Sequence, residues 1–150
     1  LAGVRDRAPR DRWGQVVSAV QQAYDALCAD AALLSMVDGR IYPGRLPQSE
    51  PNSIAALFPC IVYRQVSLGD APVSHDGLAG WERPRVQIDC WAEPDGEDSA
   101  YALAHAVADA VKTAVRAASF TVESENDLPD PETSLHRVII DALFWTTSTD

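Results

Sequence analysis

The sequence is short of basic residues, and this shortage argues against one large class of proteins. Its 150 residues include 12 Lys and Arg against 22 Asp and Glu, a formal net charge of −10 at pH 7. A surface with this excess of carboxylates repels phosphate, which disfavours a protein that holds DNA or RNA through the backbone. The arginine-rich stretch from Arg5 to Arg12 is interrupted by Asp6 and Asp11. Nucleic acid that passes by without being held remains compatible with this charge.

Cysteine is scarce as well. Cys28, Cys60 and Cys90 are widely spaced, and an odd number of thiols cannot all pair within one chain. Because two of them lie in apolar strand patterns, we predict free thiols that act as small hydrophobic residues. There is no Cys-x-x-Cys pair and no cluster of histidines along the sequence, so we predict neither a zinc site nor a bound cofactor.

Long apolar runs and catalytic motifs are also missing. No run approaches the roughly 18 apolar residues of a membrane span, and residues 1–12 are too polar for a secretory signal; we therefore expect a soluble protein that acts inside the cell. No Gly-x-Ser-x-Gly elbow or phosphate-binding glycine loop occurs. His75 with Asp76 could form an acid–base pair but is typical of a turn. We expect His105 to be a helix surface or interface residue and His136 to have a structural role. The sequence predicts no catalytic residues and no enzyme.

The strongest positive signal is a strand followed by a helix. From Arg85 to Ala92 apolar and polar residues alternate, which predicts a half-buried β-strand. After an acidic turn, apolar residues recur every three or four positions from Ala100 to Val115, the pattern of a helix that lies on a core. We expect this long helix to end near Ala118. Its many alanines indicate that the helix packs closely on the sheet.

The remaining elements complete the predicted fold. We expect a flexible tail over residues 1–11, a first helix from about Arg12 to Ala29 with Asp11 as N-cap, and a helical turn Ala31–Val37 capped by Asp30. Further strands are predicted at Cys60–Ser67, Phe120–Glu125 and Leu135–Thr146, and a solvated acidic loop at Glu123–Glu132. The predicted fold class is α+β: one domain over residues 1–150, with a mainly antiparallel sheet of about four strands, one long helix packed on it and an N-terminal helix.

The last predicted strand is apolar on both faces. Val138, Ile140 and Ala142 alternate with Ile139 and Leu143. A strand of this kind lies in a sheet that is covered on both sides. Since about two helices can cover only part of a sheet, we expect another subunit to cover the rest.

An ordered set of motifs resembles the tail completion, or tail terminator, proteins of long-tailed bacteriophages and gene-transfer particles. The segments that carry the resemblance are Asp30–Leu34, Asp38–Pro43, Pro47–Gln48, Pro59–Tyr63, Asp76–Gly80, Arg85–Ala92, Ala102–Ala104 and Asp130–Val138. They cover most of the chain from Asp30 to Thr146. The loop Arg45–Pro59 is longer than the resemblance leads us to expect, and the N-terminal tail and first helix match less clearly.

The resemblance implies a virion structural protein without catalytic residues, assembled in the host cytoplasm. It implies a homo-oligomeric ring of six subunits that caps the tail tube, stops its polymerisation and binds the head-side connector, with DNA passing through the lumen and no membrane partner. An alternative is a head–tail adaptor or stopper of the neck, and a third class is an α+β enzyme or small-ligand-binding domain, which would need a convergent polar pocket.

Two segments are the candidate interfaces because they are long and contain apolar residues. One is the loop around Ile54–Phe58, whose apolar patch either packs on the core or is offered to a partner. The other is the connector from Leu68 to Trp81, where Asp76-Gly77 suggests the turn of an extended hairpin arm. The candidate interface residues are Ile54, Leu57, Phe58, Leu68, His75, Leu78, Trp81 and, in the last strand, Trp145.

Overall fold

A mixed sheet carries three helices on one of its faces. The computed structural model describes residues 18–46, 58–70, 81–144 and 146–147. Within these ranges the helices are α1 (Ala19–Ala29), α2 (Ala31–Val37) and α3 (Ala100–Ala117). The strands are β1 (Ile41–Pro43), β2 (Cys60–Asp70), β3 (Trp81–Ala92), β4 (Thr121–Pro129), β5 (His136–Leu143) and the two-residue β6 (Thr146–Thr147). The predicted α+β class is confirmed.

The strand order is β1-β2-β3-β5-β4, so β3 lies at the centre and β4 at one edge. Strand β1 runs parallel to β2, whereas the other pairs are antiparallel. Strand β6 pairs with the beginning of β3, beyond the end of β5. The sheet is therefore mainly antiparallel, as predicted, with five main strands rather than four.

The core lies between the helices and the face of the sheet that we call the inner face. Val86, Ile88, Cys90 and Ala92 of β3 are fully buried there, as are Val138, Ile140 and Ala142 of β5. Helix α3 covers them with valines and with alanines at positions 104 and 108, which let its backbone approach the sheet. The period of two in β3 and the helical stripe in α3 are confirmed.

The first helix begins later than predicted. Ser18 has an extended backbone (φ −63°, ψ 156°) and its Oγ accepts a hydrogen bond from the backbone N–H of Gln21, so α1 begins at Ala19 and not near Arg12. The proposed cap Asp11 and the predicted tail lie outside the described residues. Asp30 is the N-cap of α2, as predicted, because its carboxylate accepts a hydrogen bond of 3.0 Å from the N–H of Leu33.

The predicted acidic loop is wrong over most of its length, because β4 continues to Pro129. Glu123, Glu125 and Asp127 belong to this strand, and each carboxylate has a cationic or imidazole partner from another element. The sequence around them contains no basic residue, so only the tertiary structure brings these partners together. The turn of residues 131–133 follows the strand.

Strands β2 and β3 are longer than predicted, and the last strand is shorter. The antiparallel pairing of β2 with β3 continues to Asp70 and Glu82, beyond the expected end of β2 at Ser67. The register of this pairing is irregular between Gln65 and Ser67. The last predicted strand ends at Leu143, and Trp145 lies outside the described residues. No helix in the described part of the chain is long and apolar enough to span a membrane.

Candidate functional site: the outer face of the sheet

The face of the sheet opposite the helices, here called the outer face, is the candidate functional surface. It consists of alternate residues of four neighbouring strands, and the described helices all pack on the inner face. Its members are Cys60, Val62 and Arg64 in β2, Arg85, Gln87, Asp89 and Trp91 in β3, Arg137, Ile139, Asp141 and Leu143 in β5, and Ser124, Asn126 and Leu128 in β4. The surface combines apolar, aromatic and charged side chains.

A buried carboxylate lies near the middle of the outer face. Asp89 is only 2% exposed. Its Oδ1 accepts a hydrogen bond of 2.9 Å from Nε2 of Gln87, and its Oδ2 lies 3.4 Å from Nη1 of Arg137. A buried carboxylate is costly unless it is paired in this way, so the three side chains form one unit.

An arginine and an aromatic ring lie beside this unit. The guanidinium carbon of Arg137 lies 4.8 Å from the centre of the Trp91 ring, a distance at which cation–π attraction operates. The centre of the Phe58 ring lies 6.4 Å from that of Trp91. Aromatic and arginine side chains of this kind are common anchors of protein–protein interfaces.

Buried hydrogen-bond donors of the outer face lack partners. Among the described residues, Nε of Arg85, Nε of Arg137 and Nε1 of Trp91 are buried without an acceptor. Leaving such a donor unpaired costs about 1–3 kcal/mol. All three belong to the outer face, so this is where the isolated chain leaves polar groups unsatisfied.

The candidate interface residues are only partly covered by the described residues. Phe58 is 8% exposed and packs against the outer face beside Trp91. The backbone of Leu68 pairs with Pro84, and Trp81 begins β3 opposite Thr147. Ile54, Leu57, His75, Leu78 and Trp145 lie outside the described residues.

Sequence reasoning missed Asp89 and Arg137, which organise the outer face. Each lies on the polar side of a strand, where a charged residue normally faces water. Their pairing joins β3 to β5 across 48 positions of sequence, and no local pattern indicates it. The hydrophobic residues Ile139 and Leu143, on the same side of β5 as Arg137, were the available signal that this face is more than a solvated surface.

A second polar cluster lies on the inner side of the edge strand β4. Oδ1 of Asp127 lies 2.6 Å from Nε2 of His105 in α3 and 2.7 Å from Nε2 of His136 in β5. The hydrogen bond from His136 and then that from His105 hold the pKa of Asp127 below its usual value. The histidines are far apart along the sequence, and the fold brings together two of them that are 31 positions apart.

The groove between α1 and α3 offers little polar chemistry. It has a volume of about 210 Å³ and is lined by Ala26, Ala29, Ala114, Ala117, Ala118 and Asp30. The carboxylate of Asp30 already caps α2. This groove is not the convergent polar pocket that an enzyme or small-ligand-binding domain would need.

Comparison with known proteins decides the family. Residues 13–147 match the family described as tail completion protein gp17. The chain belongs to this family. A search of curated proteins gives no match. A solved structure, described as the virion of a native gene transfer agent particle, contains a chain of the same fold: the TM-score is 0.57 at 18% identity, and the match covers 85% of this chain and 96% of that chain.

Membership of the tail completion family assigns the protein to the virion tail. It is a structural protein of the phage virion, located in the tail, and it contacts other virion proteins there. The resemblance found in the sequence is confirmed. The match also includes residues 13–17 and the loop 45–59, two regions where the resemblance was less clear.

Proposed function

We propose that the protein forms a ring of six subunits that caps the finished tail tube, stops its polymerisation and joins the tail to the head-side connector. One ring face would match the six-fold end of the tube, and the other would present a different surface. Growth then stops because no further tube subunit can add. The observation that carries this proposal is membership of the tail completion family over residues 13–147.

The outer face supports the ring because it has the properties of a subunit contact. It has an arginine–tryptophan pair, the half-buried Ile139 and Leu143, and donors without acceptors. In the proposed ring, a neighbouring subunit covers the apolar part of this face. Side chains that reorient in the contact then find acceptors on the neighbour, which removes the cost of the unsatisfied donors.

Loops beside the outer face extend the proposed contacts. Phe58 contacts Trp91 of that face, which supports a contact near the segment around Ile54–Phe58. The pairing of β2 with β3 up to Asp70 and Glu82 supports a hairpin arm that projects the connector between them. The proposed contact residues are Ile54, Leu57, Phe58, Leu68, His75, Leu78, Trp81 and Trp145.

The charge of the chain fits the passage of DNA through the ring. With a net charge of −10 per subunit, a six-membered ring presents a strongly negative field to DNA. Like charges keep the duplex away from the wall, and fewer phosphate contacts mean weaker retention. DNA is therefore proposed as a passing molecule and not as a bound ligand.

The native mass of the purified protein tests the ring. We expect light scattering at several concentrations to give about six times the 16.2 kDa of the chain. Shortening the Leu68–Trp81 connector, by joining Asp70 to Trp81 through an Asn-Gly turn, should give a folded monomer, because the strands stay paired while the arm is lost. Circular dichroism checks the fold of this variant. Complete rings from the shortened variant would rule out the role of the connector, and a wild-type chain that stays monomeric both in solution and on purified tail tubes would contradict the ring.

A further inference from the structure

The cluster of His105, Asp127 and His136 has the composition and placement of a metal site. The three residues come from α3, β4 and β5, so their side chains meet only in the folded protein. The possible ligand atoms all lie within 4.8 Å of one another. His136 is 10% exposed at its side chain, whereas Asp127 is 42% exposed, so the cluster is anchored in the protein and open to solvent on one side.

Two imidazoles and one carboxylate form a donor set that suits zinc. Zn²⁺ binds histidine nitrogen and carboxylate oxygen at about 2.0–2.2 Å, and sites with three protein ligands keep a fourth position for water. Donors around a tetrahedral ion at this distance lie about 3.4 Å apart. The nitrogen–oxygen distances of 2.6 and 2.7 Å are shorter than this, whereas the ligand atoms as a set spread over up to 4.8 Å, so the carboxylate and the imidazoles each have to shift by about 1 Å to admit the ion. The exposed position of Asp127 on the edge strand permits the movement of its carboxylate.

We propose that His105, Asp127 and His136 bind one Zn²⁺ ion through the two Nε2 atoms and the Asp127 carboxylate. The ion replaces the two hydrogen bonds that the imidazoles make to Asp127. Each neutral imidazole binds the ion in the tautomer that carries its proton on Nδ1. The bound zinc ties the edge strand β4 to α3 and β5. This site is independent of the proposed ring.

Glu125 prepares His105 for this role. Its Oε1 lies 3.6 Å from Nδ1 of His105, where it accepts the Nδ1 proton once the ion replaces the hydrogen bond between Nε2 and Asp127. Its Oε2 accepts a hydrogen bond of 2.9 Å from Nζ of Lys112, which fixes the carboxylate. This hydrogen bond and a weaker one to Asp109 raise the pKa of Lys112, so the amine stays charged beside Glu125.

An aromatic ring orients both histidines. The centre of the Tyr101 ring lies 4.3 Å from that of His105 and 5.1 Å from that of His136. Packing against a common neighbour restricts the rotation of the two imidazoles. Fewer ring orientations are then lost when the ion binds, which reduces the entropy lost on binding.

Calorimetric titration of the untagged, chelator-treated chain with zinc chloride tests the site. We expect one zinc ion per chain with a micromolar dissociation constant, and no binding of Mg²⁺, which prefers oxygen ligands. His105→Gln and Asp127→Asn should each weaken binding by at least about a hundredfold, and Glu125→Gln by about tenfold. His75→Gln is the matched control, because it removes the third histidine of the sequence and should leave the affinity unchanged.

His105→Gln is the decisive variant, since His105 is on the surface of α3 and its loss leaves the core intact, whereas His136 is buried. Cobalt substitution adds a second readout: the absorption bands of Co²⁺ report its coordination and should disappear in His105→Gln. Zinc that fails to bind at millimolar concentration, or that binds His105→Gln and Asp127→Asn as tightly as the wild type, would overturn the proposal. A loss of binding confined to His75→Gln would overturn it as well.

Discussion

Replacing Leu128 with glutamate should break the subunit contact of the proposed ring without unfolding the chain. Leu128 lies on the edge strand β4, directly opposite Arg137, so its side chain belongs to the outer face. It is 47% exposed, a high value for a leucine. The fold tolerates a carboxylate at this position, because the side chain reaches water.

The free energy lost from each subunit contact follows from how much of Leu128 the contact would bury. Burying a leucine fully stabilises by about 1.5–3 kcal/mol. Since 47% of Leu128 remains exposed, completing its burial contributes about 1 kcal/mol per contact. Placing a carboxylate in the same contact costs at least about 2 kcal/mol more. The total of about 3 kcal/mol weakens each subunit contact by roughly a hundredfold.

Met36→Glu is the matched control for this substitution. Met36 is 39% exposed and lies on α2, in the helical layer on the other side of the sheet. The substitution removes a similar apolar area and adds the same charge. We expect light scattering to show a ring for Met36→Glu and a single subunit for Leu128→Glu at the same concentration. A ring formed equally well by Leu128→Glu would refute the assignment of the outer face, and loss of the ring in both variants would show that charge alone is responsible.

Two further predictions concern the core. Ile88 is fully buried at the centre of the inner face, so Ile88→Ala should lower the free energy of unfolding by about 2–5 kcal/mol. Val66 is 43% exposed, so Val66→Ala should change the free energy of unfolding by less than about 0.5 kcal/mol. Urea denaturation measures both values, and equal effects would contradict the assigned core. Burial raises the pKa of Cys60 to about 12 and that of Cys90 well above its usual value. The half-buried Cys28 should therefore react first with a thiol reagent at pH 8, as mass spectrometry of the labelled peptides can show, and faster labelling of Cys90 would contradict its burial.

Elements whose apolar residues recur with a regular period could be predicted from the sequence. Strand β3 has one fully apolar side, and α3 repeats its apolar residues with helical spacing, so local order and burial agree. The start of α1 could not be predicted, because Asp11 and Ser18 are both good N-caps and the sequence does not decide between them. The structure uses Ser18.

The acidic strand shows why the rest could not be predicted. Glu123, Glu125 and Asp127 look like a solvated loop, because an isolated strand with alternating carboxylates has no apolar face to bury. The fold supplies Arg85, Lys112 and the two histidines from three other elements. Neither the strand nor the proposed zinc site has a local signature, since both depend on contacts between distant parts of the chain.

The outer face was predictable only in outline. The apolar residues on both sides of the last strand indicated that something beyond the helices covers the sheet. The buried pair of Asp89 and Arg137 had no such signal, because a charged residue on the polar side of a strand normally faces water. Its burial at 2% exposure is a property of the folded sheet.

The length of tails in particles that lack this protein tests the central claim most directly. A terminator stops tube growth, so we predict over-long or ragged tails in negatively stained particles made without the protein, and tails of normal length when the wild-type chain is supplied. Supplying Leu128→Glu should fail to restore the length, whereas Met36→Glu should succeed. Tails of normal length beside full heads that leak DNA would contradict the terminator role and would instead identify a stopper of the neck.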